Sequence, residues 1–284
     1  MRKHLLAITL MLVLSSGCRT SHAETSGASG TATIGTLEAA APNVLVVVIG
    51  GWMSCKQLAL SPTPVDMFLH DQAQNLVRNL KTGIPNAVVN TLHVCLGSKP
   101  PVAGSPSWYR RSDRPHLVYS NDVTELHNAV RAFATDLGSP AIFMMGHSYG
   151  GYVAMETTSK LSDLKLGGLY TIDPISGEAC KIVDNLPSSP GNPDCIKAPD
   201  SLPNAIIKAN TLGWLNLHQD KGPLHSAQIG EAGNVLIELP YGDKSHQRLG
   251  IDPKVWSLIC SSISKTLGVV EPTNCHQVSH QQTH

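Results

Sequence analysis

The run from Asn43 to Ile49 (NVLVVVI) constrains the fold most, because it is an almost unbroken series of aliphatic and mostly β-branched side chains. A strand with one face in water alternates apolar with polar residues, whereas a strand buried on both faces does not. Strands buried on both faces are typical of parallel sheets that are covered by helices. The run therefore predicts a central strand with helices packed on both sides of its sheet.

Similar short runs alternate with helical patterns along the rest of the chain. Further strands are predicted at 86–94, 141–145, 166–172, 212–218 and 235–239, and helices at 66–80, 122–137, 150–161 and 253–267. The stretch 96–115 is rich in Pro and Gly and is predicted to be a long surface loop. A chain of 284 residues suits one large domain. The predicted fold class is α/β, with a mostly parallel central sheet flanked by helices.

The N-terminus has the pattern of a secretory signal peptide. Arg2 and Lys3 precede an apolar run at 5–14, which is much shorter than the ~20 residues that span a bilayer. The sequence LSSGC ending at Cys18 resembles a bacterial lipobox, in which the cysteine is lipidated, although Ser15 stands where a larger aliphatic residue is usual. A second cleavage site is available after Ala23. We expect either a membrane-anchored bacterial lipoprotein, periplasmic or on the surface, or a secreted protein.

Composition divides the chain into four regions. Residues 1–17 are the predicted signal peptide, and 18–41 are rich in Gly, Ala, Ser and Thr, as in a flexible linker. The predicted catalytic domain covers 42–270, and a polar tail follows at 271–284. Basic and acidic residues number 21 each, without a long run of either sign. This balance argues against nucleic acid as the main partner.

Apart from Cys18, an even number of cysteines remains, which in an exported chain predicts disulfides. Pairing of cysteines that follow each other in the sequence is attractive, namely Cys55–Cys95, Cys180–Cys195 and Cys260–Cys275, although other pairings are open. Zinc ligation is disfavoured because no histidines are grouped with cysteines at ligand spacing. The candidate disulfide cysteines are Cys55, Cys95, Cys180, Cys195, Cys260 and Cys275.

The sequence GHSYG, from Gly146 to Gly150, carries the strongest chemical signal. It lies directly between the apolar run 141–145 and a helix-compatible segment, which is the strand–turn–helix context that a GxSxG nucleophile requires. The turn is so sharp that the residues two before and two after Ser148 must be small. The following helix N-terminus favours developing negative charge. Ser148 is therefore the predicted nucleophile, and His147 is not expected to be its base.

With this motif, the chain resembles the α/β-hydrolase superfamily, in particular small bacterial exported esterases and lipases, over roughly residues 42–267. The resemblance implies a central sheet, a Ser-His-Asp triad and hydrolysis through an acyl-enzyme, without a metal or organic cofactor. It also implies a compact fold, because the chain starts at the strand that bears the oxyanion loop and the first strands are shortened or missing.

The remaining triad members follow from the chain order of this fold, which is Ser, acid, His. His246 is the histidine in the predicted loop between the last strand and the last helix. Two aspartates stand at predicted strand ends between Ser148 and His246, namely Asp173 and Asp220. Asp173 is preferred because Asp173-Pro174 resembles a lipase-like subset that carries its acid one strand earlier.

The oxyanion hole requires two backbone N–H groups. Tyr149, directly after the nucleophile, is expected to supply one. The segment Ile49-Gly50-Gly51-Trp52 resembles the His-Gly-aromatic turn of lipases, with Ile49 in place of the usual His. Trp52 is the preferred second donor and Gly51 the alternative.

The predicted function is hydrolysis of carboxylic esters, with a small-molecule or lipid ester as substrate. A thioesterase, an amidase or an acyltransferase would use the same triad. A binding lipoprotein with an inactive site is the alternative outside enzymes, and labelling by a fluorophosphonate would distinguish it.

Overall fold

The structure is a computed structural model. It describes residues 42–51, 64–84, 86–96, 108–111, 114–120, 123–175, 204–221, 225–240, 242 and 245–269. The chain separates into two units, Met1–Ala39 and Ala40–His284, and all the described residues belong to the second. The predicted signal peptide, Cys18, the linker and the polar tail lie outside the described residues.

The described strands form one sheet. In chain order they are β1 (Asn43–Ile49), β2 (Val88–Leu96), β3 (Trp108–Arg111), β4 (Arg114–Ser120), β5 (Ala141–His147), β6 (Gly168–Ile172), β7 (Trp214–His218) and β8 (Gly233–Leu236). Their order across the sheet is β3-β4-β2-β1-β5-β6-β7-β8. All neighbouring pairs are parallel except β3 and β4. The predicted mostly parallel sheet is confirmed.

Helices cover both faces of the sheet. They are α1 (Pro64–Gly83), α2 (Val123–Asp136), α3 (Tyr149–Lys160), α4 (Asn204–Ala209), α5 (Ser245–Leu249) and α6 (Pro253–Thr266). Apolar side chains of α1 and α6 belong to one core cluster, and those of α2 and α3 belong to a second. No helix in the described part of the chain is both long and apolar enough to cross a membrane.

Strand β1 is buried on both faces, as its composition predicts. Val44, Val46 and Val48 belong to the first cluster, and the alternating residues Leu45, Val47 and Ile49 belong to the second. All six side chains are at most 2% exposed. The absence of polar residues from 44–49 therefore reflects two buried surfaces, one on each side of the sheet.

The predicted loop at 96–115 is wrong in its second half, because β3 and β4 form an antiparallel pair there. Pro115 is compatible with β4 because it lies near the start of the strand. Pairing of β4 with β2 begins only at Leu117, which faces His93. A proline at this position therefore removes no N–H from the ladder with β2. These two strands extend the sheet beyond β2.

Candidate active site

The parallel strands bring two of the predicted residues, Ser148 and Asp173, to one edge of the sheet. His147 on β5 is opposite Ile172 on β6, and Ile172 is opposite Leu217 on β7. The residues that follow, Ser148 and Asp173, consequently leave neighbouring strands at the same level. β1 lies between β2 and β5. The strands β2 to β4 are therefore added on one side of β1, and the strands from β5 onward on its other side. Such a switch point at the carboxyl ends of strands is the usual ligand site of open α/β sheets.

Ser148 has a strained backbone conformation at the turn between β5 and α3. Its φ is 57° and its ψ is −131°, a conformation that side-chain-bearing residues rarely adopt. The surrounding backbone holds the turn: Ser148 N–H donates to the Ile172 carbonyl at 2.9 Å, and the Ser148 carbonyl accepts from Ile175 N–H at 3.1 Å. The turn is therefore joined by hydrogen bonds to the end of β6, next to Asp173.

The glycines of the motif are required by close backbone contacts. A Cβ on Gly146 would overlap the carbonyl of Gly150, and a Cβ on Gly150 would overlap the carbonyls of Ile49 and Gly50. Gly150 thus lets the start of α3 lie directly against the end of β1. The small residues predicted from the motif have a steric cause in the structure.

His246 and Asp173 form a direct, buried pair. His246 Nδ1 lies 2.7 Å from Asp173 Oδ2, and the side chains of the two residues are 6% and 0% exposed. His246 lies on α5, a single short helix turn in the region where the sequence predicts a loop. Asp173 directly follows β6 and has a φ of 46°. Residues 73 positions apart therefore meet at the sheet edge that carries Ser148.

The Asp173 carboxylate accepts two further hydrogen bonds. Gln219 donates from Nε2 to Oδ2 at 2.8 Å, and the Ser226 backbone N–H donates to Oδ1 at 2.6 Å. Burial on its own would raise the pKa of Asp173. The hydrogen bond and charge of His246, together with the hydrogen bonds from Gln219 and the Ser226 backbone, outweigh burial and lower the pKa overall. Asp173 is thus held as a carboxylate that can only accept hydrogen bonds.

Asp220, the alternative acid, has a different environment. Its side chain is 53% exposed, and its carboxylate lies 3.6 Å from Lys221 Nζ. The residue before it, Gln219, contacts Asp173 instead. The carboxylate that contacts His246 is therefore Asp173.

The predicted oxyanion donors are only partly described. Tyr149 is the first residue of α3, so its N–H lies at the helix end that favours negative charge. Gly51 is buried beside Ser148, and a Cβ placed on it would be 3.4 Å from Ser148 Cβ and 3.8 Å from Ser148 Oγ. Trp52 lies outside the described residues. The loop after β1 therefore approaches the Ser148 side chain, as an oxyanion loop must.

Three residues around the Asp173–His246 pair have contacts that the sequence did not predict. Gln219 and Ser226 hold Asp173, and His147 contacts the backbone of His246. Gln219 stands directly after β7, at the same edge as Asp173, and this position is the signal that could have found it. Ser226 lies in an irregular segment and acts through its backbone, which leaves no trace in residue type.

Cys260 is the candidate disulfide residue whose side chain is described. It is buried on α6 and is disulfide-bonded, and its partner's side chain is outside the described set. The pairing of the cysteines stays a prediction. Within the described ranges, no group of three or more His, Cys, Asp or Glu side chains is placed to hold a metal ion.

Comparisons with known proteins show similarity of structure only. No protein-family model matches the chain, and no curated protein matches its sequence. Est1E from Butyrivibrio proteoclasticus is 13% identical, with 82% of this chain and 89% of that chain covered and a TM-score of 0.43. A CIB-like hydrolase from Thermoplasma acidophilum is 13% identical, with 78% and 84% covered and a TM-score of 0.41. The esterase domain of a Rhodothermus marinus protein is 11% identical, with 74% and 85% covered and a TM-score of 0.38.

These values are too low to assign chemistry to individual residues. The chemistry proposed for the site therefore rests on the geometry around Ser148, Asp173 and His246 in this chain.

Proposed function

We propose that the protein is a serine hydrolase of the α/β-hydrolase type that cleaves carboxylic esters. Ser148 is the nucleophile, His246 the general base, and Asp173 the acid that orients it. The buried Asp173–His246 hydrogen bond, at the sheet edge where Ser148 projects from a strained turn, is the observation that carries this proposal. These three residues follow one another along the chain in the order Ser, acid, His, which is the order of the triad in the α/β-hydrolase fold.

The partners of Asp173 fix the tautomer of the base. A carboxylate only accepts, so the proton in the bond to Asp173 Oδ2 is on His246 Nδ1. In the neutral imidazole, Nε2 then has a lone pair, which is the form that accepts a proton from a serine hydroxyl. Gln219 and the Ser226 N–H prevent the carboxylate from turning away.

The reaction follows from these roles. His246 Nε2 takes the proton of Ser148 Oγ while Oγ attacks the ester carbonyl, and the oxyanion accepts from the Tyr149 N–H and the loop after β1. The tetrahedral intermediate collapses, the carbon–oxygen bond to the alcohol breaks, and His246 protonates the leaving oxygen. Water then attacks the acyl-enzyme with the same base, which releases the acid and restores Ser148.

A panel of p-nitrophenyl esters of increasing acyl length tests the proposal. We expect hydrolysis by the wild type, and we expect Ser148→Ala to lower kcat by roughly 10⁴-fold or more. Ser159→Ala removes a hydroxyl from α3, the helix that follows Ser148, and is the matched control, with activity like the wild type. A folded wild type that hydrolyses no ester in the panel would argue against ester hydrolysis. An esterase activity that Ser148→Ala retains would contradict the assignment of the nucleophile.

Export with lipidation at Cys18 is a second part of the proposal. The support is the signal-peptide pattern, the LSSGC segment and the disulfide at Cys260, since disulfides persist in oxidising compartments. Mass spectrometry of the full chain expressed in a bacterium should give a mature N-terminus at a lipid-modified Cys18. A mature chain starting at Glu24 would indicate secretion without an anchor, and retention of Met1 would contradict export.

A further inference from the structure

His147 is the residue of the GHSYG motif that the proposed mechanism does not use. It ends β5, directly before Ser148, and it is only 5% exposed. Burial and the neighbouring His246 lower the pKa of His147 to about 4. At neutral pH the ring is therefore uncharged. A buried polar ring at this place needs a hydrogen-bond partner.

The partner is the backbone of the proposed base. His147 Nε2 lies 2.8 Å from the carbonyl oxygen of His246. A carbonyl only accepts, so the neutral His147 has its proton on Nε2 and donates it. The two imidazole rings also face each other, with centroids 4.9 Å apart and planes tilted by 33°. One side chain thus contacts both the backbone and the ring of His246.

The packing around His147 is tight. A Cβ placed on Gly250 would lie 3.2 Å from His147 Cγ, so Gly250 leaves just enough room for the ring. Gly250 directly follows α5, the five-residue helix that carries His246. A helix of one turn has little stability of its own, so tertiary contacts must hold its backbone.

We propose that His147 is a positioning residue, which orients His246 toward Ser148 by fixing the backbone of α5 and one face of the imidazole. The inference rests on the proposed function. Asp173 contacts only the ring of His246, at Nδ1, whereas His147 contacts the His246 backbone and joins it to β5, the strand directly before Ser148. Because His147 is neutral, it adds no repulsion when His246 takes up the serine proton.

Two variants separate the hydrogen bond from simple filling of space. His147→Leu keeps a buried side chain without a donor, and His147→Gln keeps an N–H group at a similar distance from the backbone. We expect Leu to lower kcat by roughly 10-fold to 100-fold with little change in KM, since a small misplacement of the base is costly. We expect Gln to recover most of that loss. His127→Leu on α2 is the matched control and should leave kcat unchanged.

Equal kcat values for the Leu variant and the wild type would overturn the positioning role. Equal losses in the Leu and Gln variants would also overturn it, because the donor would then be irrelevant. In contrast, a folded wild type that hydrolyses no ester would overturn the proposed function itself.

A second measurement is independent of turnover. ¹⁵N NMR of the imidazole groups at pH 7 should show His147 neutral, with its proton on Nε2. The bridging proton between His246 and Asp173 should shift or broaden in His147→Leu and be restored in His147→Gln. A proton on Nδ1 of His147, or an unchanged bridging proton in the Leu variant, would overturn the inference.

Discussion

At the scale of single residues, the candidate site depends on backbone conformations that are stable only because their neighbours enforce them. Ser148 and Asp173 both have positive φ values, 57° and 46°. Each such conformation costs on the order of 1–3 kcal/mol in a residue with a side chain. The hydrogen bond from Ser148 N–H to the Ile172 carbonyl, 2.9 Å long, and that from Asp173 N–H to Leu217, 2.8 Å long, offset this cost.

Gly150→Ala tests the steric requirement of the turn. The new methyl group would overlap the carbonyls of Ile49 and Gly50, so β1 or α3 must shift. We expect a loss of about 2 kcal/mol in the free energy of unfolding. Gly213→Ala is the matched control, because a Cβ there meets no atom within 4 Å. Equal stability of the two variants in urea unfolding would contradict this account of the motif.

Asp173→Asn and Asp220→Asn test the acid assignment. An asparagine at 173 can donate to His246 Nδ1 and so favours the wrong tautomer, which costs roughly 10⁴-fold in kcat in a well-studied triad. We expect a loss approaching this size for Asp173→Asn. Asp220→Asn changes an exposed side chain and should alter kcat by less than about twofold. The reverse ranking in steady-state kinetics would assign the acid to Asp220.

At the scale of the elements, β1 connects the two cores and places the loop that approaches Ser148. Its alternate side chains pack against different helix layers, so each substitution affects one face of the sheet. The strand also pairs with both β2 and β5. Displacement of β1 would therefore move Gly51 relative to Ser148.

Val46→Ala tests the burial of β1 on the face that packs in the first core cluster. Val46 is 0% exposed, and removing two buried methyl groups should lower the free energy of unfolding by about 2 kcal/mol. Val88→Ala on β2 is the matched control, because Val88 is 53% exposed and its change should cost less than about 0.5 kcal/mol. Similar costs for both in urea denaturation would contradict the burial pattern.

The elements that the sequence predicts are those with strong hydrophobic patterns. β1, β5 and the helix after Ser148 follow from apolar runs and from the GHSYG motif. β3 and β4 do not, because Arg110, Arg111 and Arg114 interrupt any apolar alternation. The helices α4 and α5 are six and five residues long, too short for a clear helical period. The contact of His147 with His246 joins residues 99 positions apart and depends on tertiary structure.

At the scale of the whole molecule, buried ionisable groups near the site make stability depend on pH. In the unfolded chain His147 takes up a proton near pH 6.5, but in the folded protein its pKa is about 4. Between these values the unfolded state binds more protons, so the free energy of unfolding falls as the pH falls. The full shift corresponds to about 3 kcal/mol. The pKa of Asp173 is also lowered, so the free energy of unfolding continues to fall at pH values below the range in which aspartate ordinarily titrates.

We therefore expect the wild type to lose stability progressively between pH 6.5 and pH 4. His147→Gln has no proton to take up at this position, so its loss over the same range should be smaller. The pKa of His218 is also lowered by burial, so His218 contributes part of the pH dependence of the unfolding free energy in both proteins. Urea unfolding at several pH values measures the difference. Identical slopes for the two proteins would contradict a buried, neutral His147.

The central claim is that Ser148 is a nucleophile activated by His246 and Asp173. Incubation of the folded protein with a fluorophosphonate, followed by peptide mass spectrometry, tests it most directly. We expect a single adduct on Ser148, formed rapidly by the wild type, much more slowly by Asp173→Asn, and absent from Ser148→Ala. An unlabelled but folded wild type, or an adduct on a different residue, would contradict it.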